Sequence, residues 1–135
     1  MASILAIDDD PAILVTIELV LKRAGHEVVT TNNAYAGLER LEQATFDLVI
    51  VDLFMPEMDG LEAITQISMR YPKLAIIVVS GHPFEQTADR RPDFLPLERS
   101  AFVSLGKPFR PADLLEAVGK CLDAGRAHQA GKAAT

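Results

Sequence analysis

Short apolar runs alternate with segments of helical period along most of this chain. The predicted strands are Ile4 to Ile7, Glu27 to Thr31, Leu48 to Val51, Ala75 to Val79 and Phe102 to Leu105. Most of these runs are almost continuously apolar, which is typical of parallel strands whose two faces are both covered by helices. We therefore predict an α/β protein with a parallel sheet joined by right-handed crossovers.

The segments between the strands have the spacing of amphipathic helices. The predicted helices are Pro11 to Ala24, Ala34 to Glu42, Leu61 to Tyr71 and Arg110 to Ala124. In the first helix Leu14, Ile17 and Leu21 lie on one face, and Asp10 precedes Pro11 as an N-cap. After Ala124 the sequence is rich in Ala and Gly and has no pattern. We expect one domain at residues 1–124 and a disordered tail at residues 125–135.

Composition narrows the class of protein. A chain of 135 residues that is 49% hydrophobic can bury one sizeable core, and its net charge of −6 without a basic cluster argues against direct binding of nucleic acid. Cys121 is the single cysteine, so we expect a buried helical thiol and no disulfide. Because no apolar run reaches membrane-spanning length and no leader segment is visible, we expect a cytoplasmic protein.

Polar residues follow four of the predicted strands. Asp8 and Asp9 come after the first strand, Asp52 after the third, Ser80 after the fourth and Lys107 after the fifth. In an open α/β sheet, ligands bind just beyond the carboxyl ends of the strands. The sequence therefore predicts that carboxylates, a hydroxyl and an amine meet at one edge of the sheet.

The order and approximate spacing of these residues resemble the receiver domain of two-component response regulators, especially single-domain chemotaxis-type receivers. The resemblance covers about residues 3 to 124 and depends on the paired acids, the stretch Asp52-Leu53-Phe54-Met55-Pro56-Glu57-Met58-Asp59-Gly60, Ser80-Gly81 and Lys107-Pro108-Phe109. It implies the flavodoxin-like fold with five parallel strands in the order 2-1-3-4-5. It also implies a cis peptide bond between Lys107 and Pro108, which an X-Pro bond permits at a cost of about 0.5–1 kcal/mol.

The chemistry of such a site is the transfer of a phosphoryl group to a carboxylate. Asp52 is the expected nucleophile, and Asp9 and Asp52 are the expected side-chain ligands of Mg²⁺, with Asp8 acting through a bound water. The resemblance adds the Phe54 backbone carbonyl as a ligand. Lys107 and Ser80 are expected to bind phosphoryl oxygens.

The expected partners are a histidine kinase or a histidine phosphotransfer protein, as donor in a phosphorelay, and a downstream protein. We expect neither nucleic acid nor a membrane to be bound directly, and a monomer or weak dimer. The protein is expected to be a signalling switch that catalyses its own phosphorylation and dephosphorylation, not a turnover enzyme. Since no output domain is visible, the chain is either a complete relay protein or a receiver from something longer.

Two other classes of function fit part of the pattern. The acids after the first strand, with Ser80 and Lys107, are similar to haloacid-dehalogenase phosphohydrolases, in which Asp8 would be the nucleophile. That family also needs a pair of acidic residues late in the sequence, but the acids after Lys107 fit the pattern of the predicted last helix. The other alternative is a pseudo-receiver that is never phosphorylated and acts as an interaction module.

The chain departs from the receiver pattern at the positions linked to output. Receivers usually have an aromatic residue on the fifth strand three positions before the lysine, where this chain has Ser104; Phe102 lies on the same strand face but farther from the site. The segment from Pro83 to Arg99 contains three prolines, so we expect it to be irregular. We expect signalling to use that segment, with Phe84, Phe94 and Leu95 as candidate contacts.

Overall fold

The protein forms a single five-stranded parallel sheet with helices on both faces. In the computed structural model the described residues are 2–53, 60–80 and 102–133, and side chains are described for residues 2–53, 62–79 and 103–123. The strands are β1 (Ser3–Ile7), β2 (Glu27–Thr31), β3 (Leu48–Asp52), β4 (Ala75–Ser80) and β5 (Phe102–Gly106). The helices are α1 (Pro11–Arg23), α2 (Ala34–Gln43), α3 (Gly60–Arg70) and α4 (Pro111–Ala133). The strand order is β2-β1-β3-β4-β5, which confirms the predicted fold.

The boundaries of the strands and of the first three helices agree with the sequence pattern to within one residue. The last helix differs, because α4 continues to Ala133 and passes Ala124, where the pattern predicted its end. Alanine is the strongest helix former, and Ala127, Ala130 and Ala133 lie in this extension. Their propensity lengthens the backbone helix although the segment has no apolar period. The predicted irregular segment from Pro83 to Arg99 lies outside the described residues.

The core consists of two layers, one on each face of the sheet. Leu5 and Ile7 of β1 pack with α2 and α3 on one face, and Ile4 and Ala6 pack with α1 and α4 on the other. This alternation follows from the period of two in a β-strand. Strands β1 and β3 are therefore buried on both faces. The residues at their carboxyl ends are anchored to the core.

Helices α1 and α2 begin with side-chain caps. The Ala12 backbone N–H donates to Asp10 Oδ1 at 2.9 Å at the start of α1, which confirms the predicted N-cap. Asn33 caps α2 in the same way, accepting from the Ala36 N–H at 2.8 Å. Such caps satisfy donors that have no partner within the helix.

The buried thiol was also predicted correctly. Cys121 lies in the core layer under α1 and α4, and burial raises the pKa of its thiol to about 11. The thiol is therefore protonated at neutral pH and acts as a small apolar side chain. Within the described part of the chain, none of the helices is both long enough and apolar enough to span a bilayer.

Gly37 lies where α2 packs closely against β1. A Cβ atom at this position would meet Ile7 Cδ1 and would lie 2.7 Å from Ile7 Cγ1, and Ile7 is itself buried. We expect Gly37→Ala to destabilise the fold by up to about 2 kcal/mol, because overpacking costs about 1–3 kcal/mol and the gain in helix propensity offsets only about 1 kcal/mol of it. Urea unfolding measures the difference.

Gly119 in α4 provides the matched control for Gly37. A Cβ atom there would meet nothing within 4 Å, so Gly119→Ala should stabilise the protein by up to about 1 kcal/mol through propensity alone. Equal effects of the two substitutions would contradict the proposed contact between Gly37 and Ile7.

His26 ties the start of β1 to the start of β2. The Ala2 backbone N–H donates to His26 Nδ1 at 3.1 Å. Burial, and then the positive charge of the amino terminus, lower the pKa of His26 below its ordinary value of 6.5. A lowered pKa means that the unfolded chain binds the proton more readily, so the contribution of His26 to stability is present above the unfolded pKa and is lost as the pH falls.

The corresponding prediction compares wild type with His26→Gln, which keeps an acceptor but does not titrate. As the pH falls from about 8 to about 5, wild type should lose more unfolding free energy than the variant. Parallel urea titrations at each pH measure this difference. Identical pH dependence in the two proteins would show that the lowered pKa of His26 does not affect stability.

Candidate functional site

Asp8 and Asp52 lie side by side at the carboxyl edge of the sheet. Strands β1 and β3 are neighbours, with Ile7 opposite Val51, so the residues that follow these two positions come together. Asp8 is 2% exposed and Asp52 is 4% exposed. The backbone fixes Asp8, because its N–H donates to the Thr31 carbonyl at 3.2 Å. Two nearly buried carboxylates are thus held next to each other.

Lys107 provides a positive charge between these carboxylates. Its Nζ lies 3.0 Å from Asp8 Oδ2 and 3.5 Å from Asp52 Oδ2. Burial alone would lower the pKa of Lys107, but the hydrogen bond and charge of Asp8, with a contribution from Asp52, raise the pKa above its ordinary value. The amine is therefore charged at neutral pH. The peptide bond between Lys107 and Pro108 is cis, as predicted.

Asp9 completes a group of three acids. One carboxylate oxygen from each of Asp8, Asp9 and Asp52 lies within 4.8 Å of the others. Unlike its two neighbours, Asp9 is exposed to solvent. Two carboxylates about 4 Å apart repel each other by roughly 4 kcal/mol at an effective dielectric constant of about 20. Since Lys107 neutralises only one of three negative charges, the group favours a further cation.

The donor set of this group suits Mg²⁺. Magnesium is bound by carboxylate oxygens, usually one or two, and keeps several waters for substrate phosphates to replace. Asp8 has both oxygens engaged, since Oδ1 accepts from the Asp10 N–H at 2.9 Å and Oδ2 accepts from Lys107. Asp9, which is open to solvent, is thus better placed for direct coordination than Asp8.

The contact from the Asp10 N–H to Asp8 is the part of the site that the sequence pattern missed. Asp10 was predicted only as the cap of α1. The run of three acids before Pro11 was the available signal, because a cap directly after an acidic pair places backbone donors beside those acids.

The remaining predicted site residues are placed only in part. Ser80 ends β4 and pairs in register with Gly106, the residue before Lys107, so its backbone lies at the same edge of the sheet. Ser104 is exposed on β5, and Phe102 begins that strand. The side chains of Ser80 and Phe102 are not among those described. Phe54, Phe84 and Phe94 lie outside the described residues.

A cavity of about 710 Å³ opens at the opposite edge of the sheet. It is lined by Ala2, Phe46, Asp47, Tyr71, Lys73 and Cys121, among others. None of the three clustered carboxylates is among its described lining residues. The acidic group at the carboxyl edge, and not this cavity, is therefore the site whose chemistry can be derived from its residues.

Comparison with known proteins agrees with this geometry. The family model of the response regulator receiver domain matches residues 4–119. The DNA-binding transcriptional regulator NtrC of Bradyrhizobium sp. (strain RP501 Parasponia) is 38% identical over 120 residues, which cover 89% of this chain and 24% of that protein. This chain thus spans about a quarter of the length of that relative.

Solved receiver structures have the same fold. A CheY-like receiver domain protein from Methanospirillum hungatei JF-1 superposes with a TM-score of 0.82 at 29% identity, covering 95% of this chain and 98% of that one. The chemotaxis protein CheY4 of Vibrio cholerae gives a TM-score of 0.80 at 29% identity, covering 90% and 99%. The chain belongs to the response regulator receiver domain family.

Proposed function

We propose that this chain is a phospho-accepting receiver that takes a phosphoryl group from a phosphohistidine onto Asp52. The observation that supports this most is the position of Asp52, a nearly buried carboxylate that is grouped with two further acids and lies 3.5 Å from the Lys107 amine. A carboxylate can act as a nucleophile toward phosphorus once its charge and that of the phosphoryl group are neutralised.

In the proposed reaction one carboxylate oxygen of Asp52 attacks phosphorus. The bond between phosphorus and the donor imidazole nitrogen breaks, and the imidazole leaves after taking a proton from solvent. Asp52 then holds the group as an acyl phosphate. Asp9 and Asp52, with the Phe54 carbonyl, would bind Mg²⁺ directly, and Asp8 would bind it through water. When bound, the ion neutralises the charge of the carboxylates and of the phosphoryl oxygens.

Lys107 and Ser80 are the proposed contacts of the transferred group. Lys107 pairs with Asp8 and Asp52 before the reaction, and a phosphoryl oxygen on Asp52 offers the same ammonium a stronger partner. Ser80, at the end of the adjacent strand, donates its hydroxyl to another oxygen. The exchange of partners by Lys107 couples the state of Asp52 to the start of α4. We therefore propose that phosphorylation changes the affinity for partner proteins.

The chain acts on itself and is not proposed to be a turnover enzyme. Its proposed donor is a histidine kinase or a histidine phosphotransfer protein in the cytoplasm. Its relative NtrC is a DNA-binding regulator by name. With a net charge of −6, this chain is proposed to bind proteins and not DNA directly. Candidate output surfaces are Phe102, Ser104 and the segment that contains Phe84 and Phe94.

The phosphohydrolase alternative makes Asp8 the nucleophile. Both oxygens of Asp8 already accept hydrogen bonds, from the Asp10 N–H and from Lys107. Among the described residues, no acid that follows Lys107 joins the group of Asp8, Asp9 and Asp52, as the phosphohydrolase arrangement would require. The absence of such an acid from the described group favours Asp52 as the nucleophile. A pseudo-receiver would lack the acceptor chemistry that the three acids and Lys107 provide.

Incubation with a small phosphodonor and Mg²⁺, followed by intact-mass measurement, tests the proposal. We expect one covalent phosphoryl group per chain, stable in acid and lost in base as an acyl phosphate should be. Failure to form this adduct, with the protein folded and Mg²⁺ bound, would support the pseudo-receiver alternative.

A further inference from the structure

We propose that Asp10 is a positioning residue of the acidic site, because its side chain caps α1 and the capped turn holds the Asp10 backbone N–H against Asp8. The inference rests on the proposed function, since it concerns a carboxylate of the proposed phosphoryl-accepting site.

Two hydrogen bonds of Asp10 support this proposal. Through its side chain, Oδ1 accepts from the Ala12 N–H at 2.9 Å, and through its backbone, the N–H donates to Asp8 Oδ1 at 2.9 Å. Asp10 has φ −90° and ψ 111°, the extended conformation of an N-cap. Pro11 has no N–H, so Ala12 supplies the first donor of the helix. The side-chain bond therefore fixes the backbone that directs the second donor at Asp8.

The same peptide group joins Asp10 to Asp9. A turn that fixes the Asp10 backbone therefore also fixes the point from which the exposed Asp9 carboxylate reaches the site. Asp8 and Asp9, the two acids that follow β1, are thus oriented by one capped turn. Asp10 itself is exposed, and its carboxylate is outside the group of three acids.

The contact from Asp10 matters most when Lys107 leaves Asp8. In the structure Asp8 Oδ2 accepts from Lys107 at 3.0 Å, and Oδ1 accepts from Asp10. If Lys107 turns toward a phosphoryl oxygen, one of the two described contacts of the Asp8 carboxylate is lost. The Asp10 N–H is then the described donor that keeps this carboxylate oriented. Removal of a group that orients the residues around a metal typically weakens metal binding by about 10–100-fold.

Asp10→Asn and Asp10→Ala test the proposal as a matched pair. Both remove the negative charge, but asparagine retains a strong capping acceptor and alanine does not. Calorimetric titration with Mg²⁺ should show that Asp10→Ala binds about tenfold more weakly than Asp10→Asn, the lower end of the loss found when an orienting partner of a ligand is removed. The NMR shift of the residue 10 amide should report the hydrogen bond to Asp8 in Asp10→Asn and its loss in Asp10→Ala.

Asn33→Ala is the control for a purely structural effect. It removes the equivalent cap of α2, and it should lower stability while leaving Mg²⁺ affinity unchanged. If Asp10→Ala does not fold, Asp10→Gly takes its place, because glycine also lacks the acceptor but is tolerated as an N-cap. Equal Mg²⁺ affinity in the variants with and without the acceptor would overturn the proposal.

Asp9→Asn separates failure of this inference from failure of the proposed function. If Asp9→Asn abolishes Mg²⁺ binding while the Asp10 variants bind equally, only the positioning by Asp10 is wrong. If Asp9→Asn binds Mg²⁺ as wild type does, the proposed metal site itself is wrong.

Discussion

Asp52→Asn should abolish phosphoryl incorporation from a small phosphodonor in the presence of Mg²⁺. The substitution keeps the size of the side chain but replaces the attacking carboxylate oxygens with an amide, which is a poor nucleophile. Asp8→Asn should only reduce the rate, because it changes the environment of the metal and leaves the nucleophile in place. Intact-mass measurement over a time course distinguishes the two results.

Asp47→Asn is the matched control for this experiment. Asp47 directly precedes β3 at the end of the strand opposite Asp52, and its carboxylate accepts from the Ser3 N–H at 2.8 Å. The Asp47→Asn variant should be phosphorylated at the wild-type rate. If Asp52→Asn were still phosphorylated while Asp8→Asn were not, the phosphohydrolase arrangement would be supported instead.

Mg²⁺ should stabilise the wild-type protein, and Asp9→Asn should not respond to it. A ligand that binds only the folded state stabilises it by RT ln(1 + [L]/Kd), about 1.4 kcal/mol at roughly tenfold saturation. For a domain of this size that corresponds to a rise in Tm of roughly 4–8 °C. Relief of repulsion among the three carboxylates supplies the binding free energy. Thermal unfolding with increasing Mg²⁺ measures the response.

The Asp9 experiment also has an informative control. Asp47→Asn removes a carboxylate outside the acidic group, so it should keep the full response to Mg²⁺. A wild-type Tm that stays constant up to tens of millimolar Mg²⁺, about the weak end expected for two carboxylates, would contradict the proposed metal site.

The sequence predicted the fold well because apolar runs and helical periods agreed along most of the chain. The continuous apolar runs of β1, β3 and β4 could only be satisfied by burial on both faces of a sheet. The extension of α4 to Ala133 was missed because an Ala-rich segment forms helix by intrinsic propensity, and propensity leaves no apolar period to detect.

The acidic site was predicted as a set of residues, but not as a geometry. The predicted strand ends placed Asp8, Asp52 and Lys107 at one edge of the sheet. In the structure the Lys107 amine lies 3.0 Å from the Asp8 carboxylate and 3.5 Å from that of Asp52. The difference in burial between Asp8 and Asp9 was not predictable from two adjacent identical residues. The burial of each side chain depends on the side of the turn from which it projects. The hydrogen bond from the Asp10 N–H to Asp8 depends on the same turn geometry.

The position of β5 at the edge of the sheet has a consequence for hydrogen exchange. Asp8 follows β1 and Asp52 ends β3, and both of these strands are covered on both faces. Lys107, in contrast, follows β5, which is an edge strand on which Ser104 is exposed. Amides in β1 and β3 should exchange only through global unfolding, and amides in β5 should exchange through cheaper local openings. The carboxylates thus belong to the slowest-exchanging part of the molecule, while the lysine that pairs with them follows a strand that opens more easily.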